Sequence, residues 1–462
     1  MIEIDSLLKQ VKRIHFIGIG GSGMCPLAEI LHKEGYQLSG SDNNETDTLA
    51  RIRSLGIPVA MGQKAENIEG AEMIVYTAAL LKDNPELVAA LESGIPTFER
   101  SKLLGAITRL YPNSICISGT HGKTTACSML TQVLIEADFD PTAVIGGKLP
   151  LTGTNGTVGH SEHMVCEACE FVDTFLELSP DIAVILNVDE DHLDYFKTFE
   201  NLKKSFTKFA SMANKLIIFN GDDPNTVETV LPAAEISRKP VISFGMNDGN
   251  MYRAKNITLE NEFASFELIR YGEKLGKVTL GIPGKHHVYN ALAVIASAME
   301  SGVSFEQCVN GIAHFRGAGR RFEILGVING ITIADDYAHH PKELEVTLNT
   351  AMKMGYKKVI AVFQPFTYSR TSILFDDFVR VLKIPDKCIM TEIMGSREIN
   401  TYGIYTSQLA EKIPDSVWFN TFDDVAEYAV NYADKGDLII TLGCGDIYKA
   451  AKIMIKMLNE RQ

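Results

Sequence analysis

The chain has 462 residues, 45% apolar and 22% charged, a balance suited to a soluble globular protein of roughly three domains. Its formal net charge of −14, with no run of Lys or Arg, argues against nucleic acid as a partner, because phosphate-backbone binding needs clustered cations. The charged start MIEIDSLLKQVKRIHF lacks the apolar core of a secretion signal, and no apolar run approaches the ~18 residues of a membrane span. Eight scattered cysteines in a chain of this size suit a reducing cytoplasm.

From Ile14 to about Leu110, strand-like runs (RIHFIGIG, YQLSGSD, MIVYTAA) alternate with helical ones (PLAEILHKEG, TLARIRSLG). This is the rhythm of a parallel sheet with crossover helices. The first strand runs into Gly18, Gly20 and Gly23, a G-x-G-x-x-G turn with Gly21, Ser22 and Met24 inside or just after it. Such a turn lets backbone N–H groups approach a pyrophosphate at a helix N-terminus. Asp42, ending the next strand, stands where an acid binds a ribose. Taken alone, this segment fits NAD, FAD or a nucleotide sugar, or a tight turn without a ligand.

The pattern restarts near Pro112. The strand SICIS leads into Gly119, Thr120, His121, Gly122, Lys123, Thr124 and Thr125, followed by a helix with Met129, Leu130, Val133 and Leu134 on one face. The segment departs from the strict phosphate-loop pattern, since Ile117 stands where its first glycine belongs. The order strand, G-K-T, helix still supports a phosphate site, with Lys123 toward the β/γ-phosphates and the Thr124 hydroxyl toward Mg²⁺. Farther on, CEACEFVD carries Glu167 and Glu170, and NVDEDHLDYF carries Asn187, Asp191, His192 and Asp194 directly after a strand. DDYAHHP places Asp335, Asp336, His339 and His340 after another strand, and Arg370 lies in FQPFTYSRT. Carboxylates and imidazoles at strand ends are where open α/β sheets build active sites, and hard oxygen ligands beside a phosphate loop suit Mg²⁺ better than zinc. Cys166 and Cys169 form a lone C-x-x-C pair, which reads as two small buried hydrophobes. Glycine and arginine cluster at FRGAGRRFE, a hinge or linker that holds Arg320 and Arg321.

The segments GIGGSGM, GTHGKTT, NVDEDHLDYF, PGKHHVYNA, GAGRRFE, DDYAHHP and FQP..YSRT occur in one order over residues 11 to 450. In that order the chain resembles the Mur ligases, ATP-dependent enzymes of peptidoglycan stem-peptide assembly. The resemblance implies an α/β protein of three domains: a Rossmann-like UDP-sugar domain at 1–110, a central phosphate-loop ATP domain at 111–317, and a Rossmann-like amino-acid domain at 318–462. The start HFIGIGGSGM is similar to the branch that adds L-alanine to UDP-N-acetylmuramate; a branch that attaches a recycled peptide is the alternative. Outside the family, a nicotinamide oxidoreductase or a nucleotide-dependent binding protein is the rival reading.

Further implications follow from the resemblance alone. Gly18 to Met24 cradle the UDP diphosphate, and Lys123 and Thr124 hold ATP phosphates and Mg²⁺. Glu167 and His192 bind metal, His286 and Asn290 contact adenine, and Arg320 meets the nucleotide. Asp336 and His339 lie near the γ-phosphate and the incoming amine, and Arg370 contacts the muramate side. Closure around Gly317–Gly319 assembles the site, and the chain works as a monomer or weak dimer. The chain departs from the family pattern at Phe366-Thr367, where a His-Arg pair is usual, and at Cys169, where a polar or acidic residue is usual.

Overall fold

A computed structural model describes residues 3–396 and 398–461, and the side chain of Asp194 lies outside that description. The chain divides into two compact units. One contains the chain through Phe315 except Leu259–Ala264 and Ile282–Lys285, which group with the other unit, Arg316 onward. Three sheets are built; the first two are opened by strand runs read from the sequence, and the third by Glu323–Ile328, which was not among them.

The first sheet has five parallel strands in the order Val59–Met61, Gln37–Asp42, Arg13–Ile17, Met73–Tyr76, Thr97–Glu99. Four of the five residues in Arg13–Ile17 are buried, because helices cover both faces of a parallel sheet and leave no polar side. Strand order reverses on either side of Arg13–Ile17, so the glycine turn that follows lies at a topological switch point, where such sheets bind ligands.

The second sheet has ten strands. Its parallel centre runs Val241–Gly245, Leu216–Asn220, Ile182–Ile185, Asn113–Ser118, His163–Glu167, Thr142–Leu149. Thr154–Thr157 pairs antiparallel at one edge, and Tyr252–Glu260, Phe263–Arg270 and Glu273–Pro283 extend the other. Here too the order reverses at one strand, Asn113–Ser118, which leads into the second glycine loop. The helix after it, Lys123–Glu136, is buried from Thr124 to Leu134 on every side and not along a single apolar face. Helices His287–Glu300 and Phe305–His314 pack on its outer side, so no face is left to solvent.

The first two sheets share one hydrophobic core, which includes Phe16 and Leu27 of the first layer and Cys166 and Phe206 of the second. Polar contacts also join them: Lys33 Nζ donates to the Val158 and Gly159 carbonyls at 3.0 and 2.8 Å, and Lys102 Nζ meets Glu177 Oε1 at 2.9 Å.

The third sheet runs Glu323–Ile328, Ile331–Asp336, Leu438–Leu442, Val359–Phe363, Lys387–Thr391, Val417–Phe419. All its strands are parallel except Glu323–Ile328, an antiparallel edge. Among the described residues no helix is long and apolar enough to cross a membrane.

Candidate active site

The phosphate loop takes its shape from strand ends around it. Ile117 lies inside the strand, paired with Val184 on one side and Glu167 on the other, and is fully buried. The turn therefore begins only at Gly119, and a glycine at 117 has nothing to do. Gly122 adopts a φ of +86°, and a Cβ there would stand 2.7 Å from Asn290 Oδ1, so the position demands glycine on two counts. Asn187, just past the strand Ile182–Ile185, clips the loop: its Oδ1 accepts from His121 N at 2.8 Å, and its Nδ2 donates to the His121 carbonyl at 3.0 Å. Thr120 Oγ1 adds a second clip, donating to the Asp189 carbonyl at 3.1 Å and accepting from Asp189 N at 2.9 Å. His121 Nε2 stands 3.6 Å from Asp189 Oδ2. Thr125 is buried in the first helical turn.

The two acidic segments reach the loop by different residues. Thr124 Oγ1 donates to Glu167 Oε1 at 2.9 Å, while Glu167 Oε2 accepts from Gly146 N at 2.7 Å. Lys123 Nζ donates to the loop carbonyls of Gly119 (2.6 Å) and Thr120 (3.2 Å) and pairs with the buried Glu170 at 2.9 Å. Burial pushes the Lys123 pKa down, but the charge and hydrogen bond of Glu170, with Cys169 and Glu167, together outweigh it and raise the pKa, so the ammonium stays charged. His192 Nε2 lies 3.8 Å from Glu170 Oε1 and 3.7 Å from Asp191 Oδ2, its ring tilted on Phe171. The structure thus joins Thr124 to Glu167, and His192 to Glu170. Glu170 as the lysine's partner was not assigned from sequence, since a pairing across 47 residues leaves no local periodicity to read.

Beside Gly122, Asn290 Nδ2 meets His287 Nδ1 at 3.1 Å, and His286 is the exposed residue that opens the helix His287–Glu300. His286 and His287 have ring centroids 3.9 Å apart.

In the first glycine loop, Gly20 N donates to Asp42 Oδ2 at 2.9 Å, and Asp42 Oδ1 accepts from Asn43 N and Asn44 N. Asp42 thereby braces the turn itself. Thr48 Oγ1 donates to the Gly20 carbonyl, Ser22 is exposed, and Met24 is buried behind the turn. Gly21 N donates to the Gly18 carbonyl at 3.2 Å. Arg100, the first residue of the helix Arg100–Thr108, brings a cation here: a Cβ on Gly23 would lie 3.0 Å from its Nη1. Sequence reading passed over Arg100; its position directly after a strand, in TFER, was the available signal.

In the second unit, Arg320 is committed to its own sheet. Its Nε donates to Asp335 Oδ2 at 2.8 Å, and its Nη groups donate to the Gly443 and Gly445 carbonyls at 2.6 and 3.0 Å. Asp336 accepts from Phe322 N and Ala338 N, both at 2.7 Å, yet burial pushes its pKa up to about 6. Burial, together with Arg370 and Arg321, holds the His339 pKa below its ordinary value against the opposing Glu343, leaving a neutral imidazole near pH 7. His339 Nδ1 stands 3.0 Å from the Tyr337 carbonyl, and the Phe366 ring lies 6.4 Å from the His339 ring, edge to face. Thr367 caps the helix Tyr368–Ile373, and Arg370 Nη1 is buried without a hydrogen-bond partner among the described residues.

Two glycine loops at two switch points, one carrying a charged lysine beside a hydroxyl and carboxylates, define a nucleotide-binding α/β enzyme. Comparison with known proteins is more specific. The Mur ligase family catalytic domain matches residues 13–112, the Mur ligase middle domain 117–298, and the Mur ligase glutamate ligase domain 320–445. A UDP-N-acetylmuramate–L-alanine ligase of Acetivibrio thermocellus is 42% identical over 453 residues, covering 96% of both chains. One of Caldanaerobacter subterraneus subsp. tengcongensis is 42% identical across 100% of both. Among solved structures, UDP-N-acetylmuramate-alanine ligase of Thermotoga maritima matches with a TM-score of 0.84 at 25% identity, over 97% of this chain and 100% of that one. A murein peptide ligase of Psychrobacter arcticus shares the fold, with a TM-score of 0.75 at 23% identity over 97% and 99%. The chain belongs to the Mur ligase family, whose members are ATP-dependent ligases. The nicotinamide oxidoreductase that the first glycine turn alone left open is set aside by this membership.

Proposed function

We propose that this chain joins L-alanine to the lactyl carboxylate of UDP-N-acetylmuramate, using ATP to activate that carboxylate as an acyl phosphate. The observation that carries the reading is the phosphate loop, with Lys123 on Glu170 and Thr124 on Glu167 at the end of one strand. Full-length identity of 42% to ligases of that name supports the choice of substrates. A carboxylate in water has no leaving group, so amide formation requires this activation.

Lys123 is charged and reaches the phosphates by leaving the Gly119 and Thr120 carbonyls, where it rests now. The N–H groups opening the helix Lys123–Glu136 add their dipole at the same end. Mg²⁺ fits the Thr124 hydroxyl and the Glu167 carboxylate, hard oxygens 2.9 Å apart, and when bound it supplies neutralisation of phosphate charge. The first glycine loop and Arg100 hold the UDP diphosphate. Neutral His339 accepts the proton that the attacking amine must lose, and Arg370 orients a carboxylate through its buried guanidinium.

The test is phosphate release from ATP with each substrate supplied singly and together. Release that requires both UDP-N-acetylmuramate and L-alanine is expected. Release with a tripeptide in place of L-alanine, and none with the amino acid, sinks the alanine reading in favour of peptide attachment.

A further inference from the structure

We propose that Glu86 is a positioning residue that, through Ser41 and His15, sets the first glycine loop for the diphosphate of its ligand. This rests on the reading of that loop as the UDP-sugar site. Glu86 is fully buried in the first turn of the helix Pro85–Glu92, where Asn84 Oδ1 accepts from its backbone N at 3.1 Å. One carboxylate oxygen, Oε1, lies 2.7 Å from Nε2 of His15, a residue 1% exposed in the strand that runs into the loop. The other, Oε2, accepts from Ser41 Oγ at 2.7 Å and from Asn67 Nδ2 at 3.2 Å. His15 Nδ1 is held in turn by Ser39 Oγ at 2.8 Å.

Ser41 is the link to the loop. Its carbonyl accepts from both Gly18 N (2.9 Å) and Ile19 N (3.1 Å), the first two amides of the glycine turn. A carboxylate that fixes the Ser41 side chain from one side and His15 from the other fixes where that carbonyl points. The first turn is thereby locked between two neighbouring strands. Burying a carboxylate for packing alone is unfavourable compared with an apolar side chain of the same size. Its hydrogen bonds span two strands, the turn at Asn67 and a helix, which is the geometry of a brace. With no exposed surface of its own, Glu86 acts on the ligand only through the residues it holds.

The experiment uses the full-length enzyme with Glu86→Gln and Ser41→Ala. KM and kcat are measured separately for UDP-N-acetylmuramate, ATP and L-alanine, and UDP-N-acetylmuramate binding is followed by calorimetry. For Glu86→Gln the UDP-sugar KM and Kd are expected to rise about tenfold, with kcat and the ATP KM within about twofold of wild type. Ser41→Ala, which deletes one hydroxyl, is expected to move the same two constants in the same direction by a smaller factor, and it carries the test if Glu86→Gln does not fold. An unchanged UDP-sugar KM, or a rise of all three KM values together with a lower melting temperature, overturns the inference and reduces Glu86 to packing. If the wild-type protein itself fails to bind UDP-N-acetylmuramate in the calorimeter, the UDP-sugar reading falls and takes this inference with it. That outcome is told apart by the wild-type titration alone.

Discussion

Lys123 and Asp336 show how burial acts on single groups with opposite results. Lys123 keeps its charge because Glu170 is beside it, so the cation is ready before a nucleotide arrives. Replacing it with alanine should lower phosphate release about a hundred- to a thousandfold while circular dichroism stays native. Near-normal turnover by that variant would remove the loop from the mechanism. At Asp336 the Arg321 charge and the Ala338 and Phe322 N–H groups offset burial only in part, and its folded-state pKa of about 6 lies above the ~3.9 of an unfolded chain. A raised folded value means that the stability contribution is complete below about pH 4 and is lost as pH climbs through 6. Urea unfolding of the wild type and Asp336→Asn should therefore show the difference moving toward the variant by about 2 kcal/mol between pH 4.5 and pH 7.5. A difference that does not change with pH would mean that Asp336 titrates normally.

At the scale of elements, the loops are held by neighbours that come from far along the chain. Gly122→Ala places a methyl group against Asn290 at a backbone angle that side chains avoid. The variant should lose about 1–2 kcal/mol of stability and bind ATP more weakly, as read by urea melts and nucleotide titration. Wild-type values in both would show that the turn tolerates another conformation. The strands themselves were legible: RIHFI, SICIS and LIITL are short, mostly apolar runs that lead straight into glycine, and IAVI is one that ends four residues before Asp189, because parallel strands buried on both faces need no polar alternation. The residues that clamp the loops were not. Asn187 sits 66 positions from His121, and Glu86 sits 71 from His15, so their pairing exists only once the sheets have formed. Ile117 looked like a defect in a motif and is a strand residue with two partners. The helix Lys123–Glu136 looked amphipathic because its threonines and serine read as polar, although these are side chains that can be buried with a hydroxyl bonded locally, as Thr131 Oγ1 is to the Cys127 carbonyl.

Over the whole molecule, two compact units predict two unfolding events. Scanning calorimetry should resolve them, with Asp336→Asn moving only one and Gly122→Ala only the other. One transition displaced by both substitutions would mean that the units melt as a single body. The larger unit has its own consequence for the proposed chemistry. The first two sheets share a core and a seam of lysine contacts, with the Gly105 backbone set against the Glu177 carbonyl. The loop assigned to the phosphoryl donor and the loop assigned to its acceptor are thus fixtures on one bench, and their spacing is calibrated when the chain folds. A bulky residue at Gly105 would act as a miscalibration: each substrate would still bind in its own cradle, and the gap between them would be wrong.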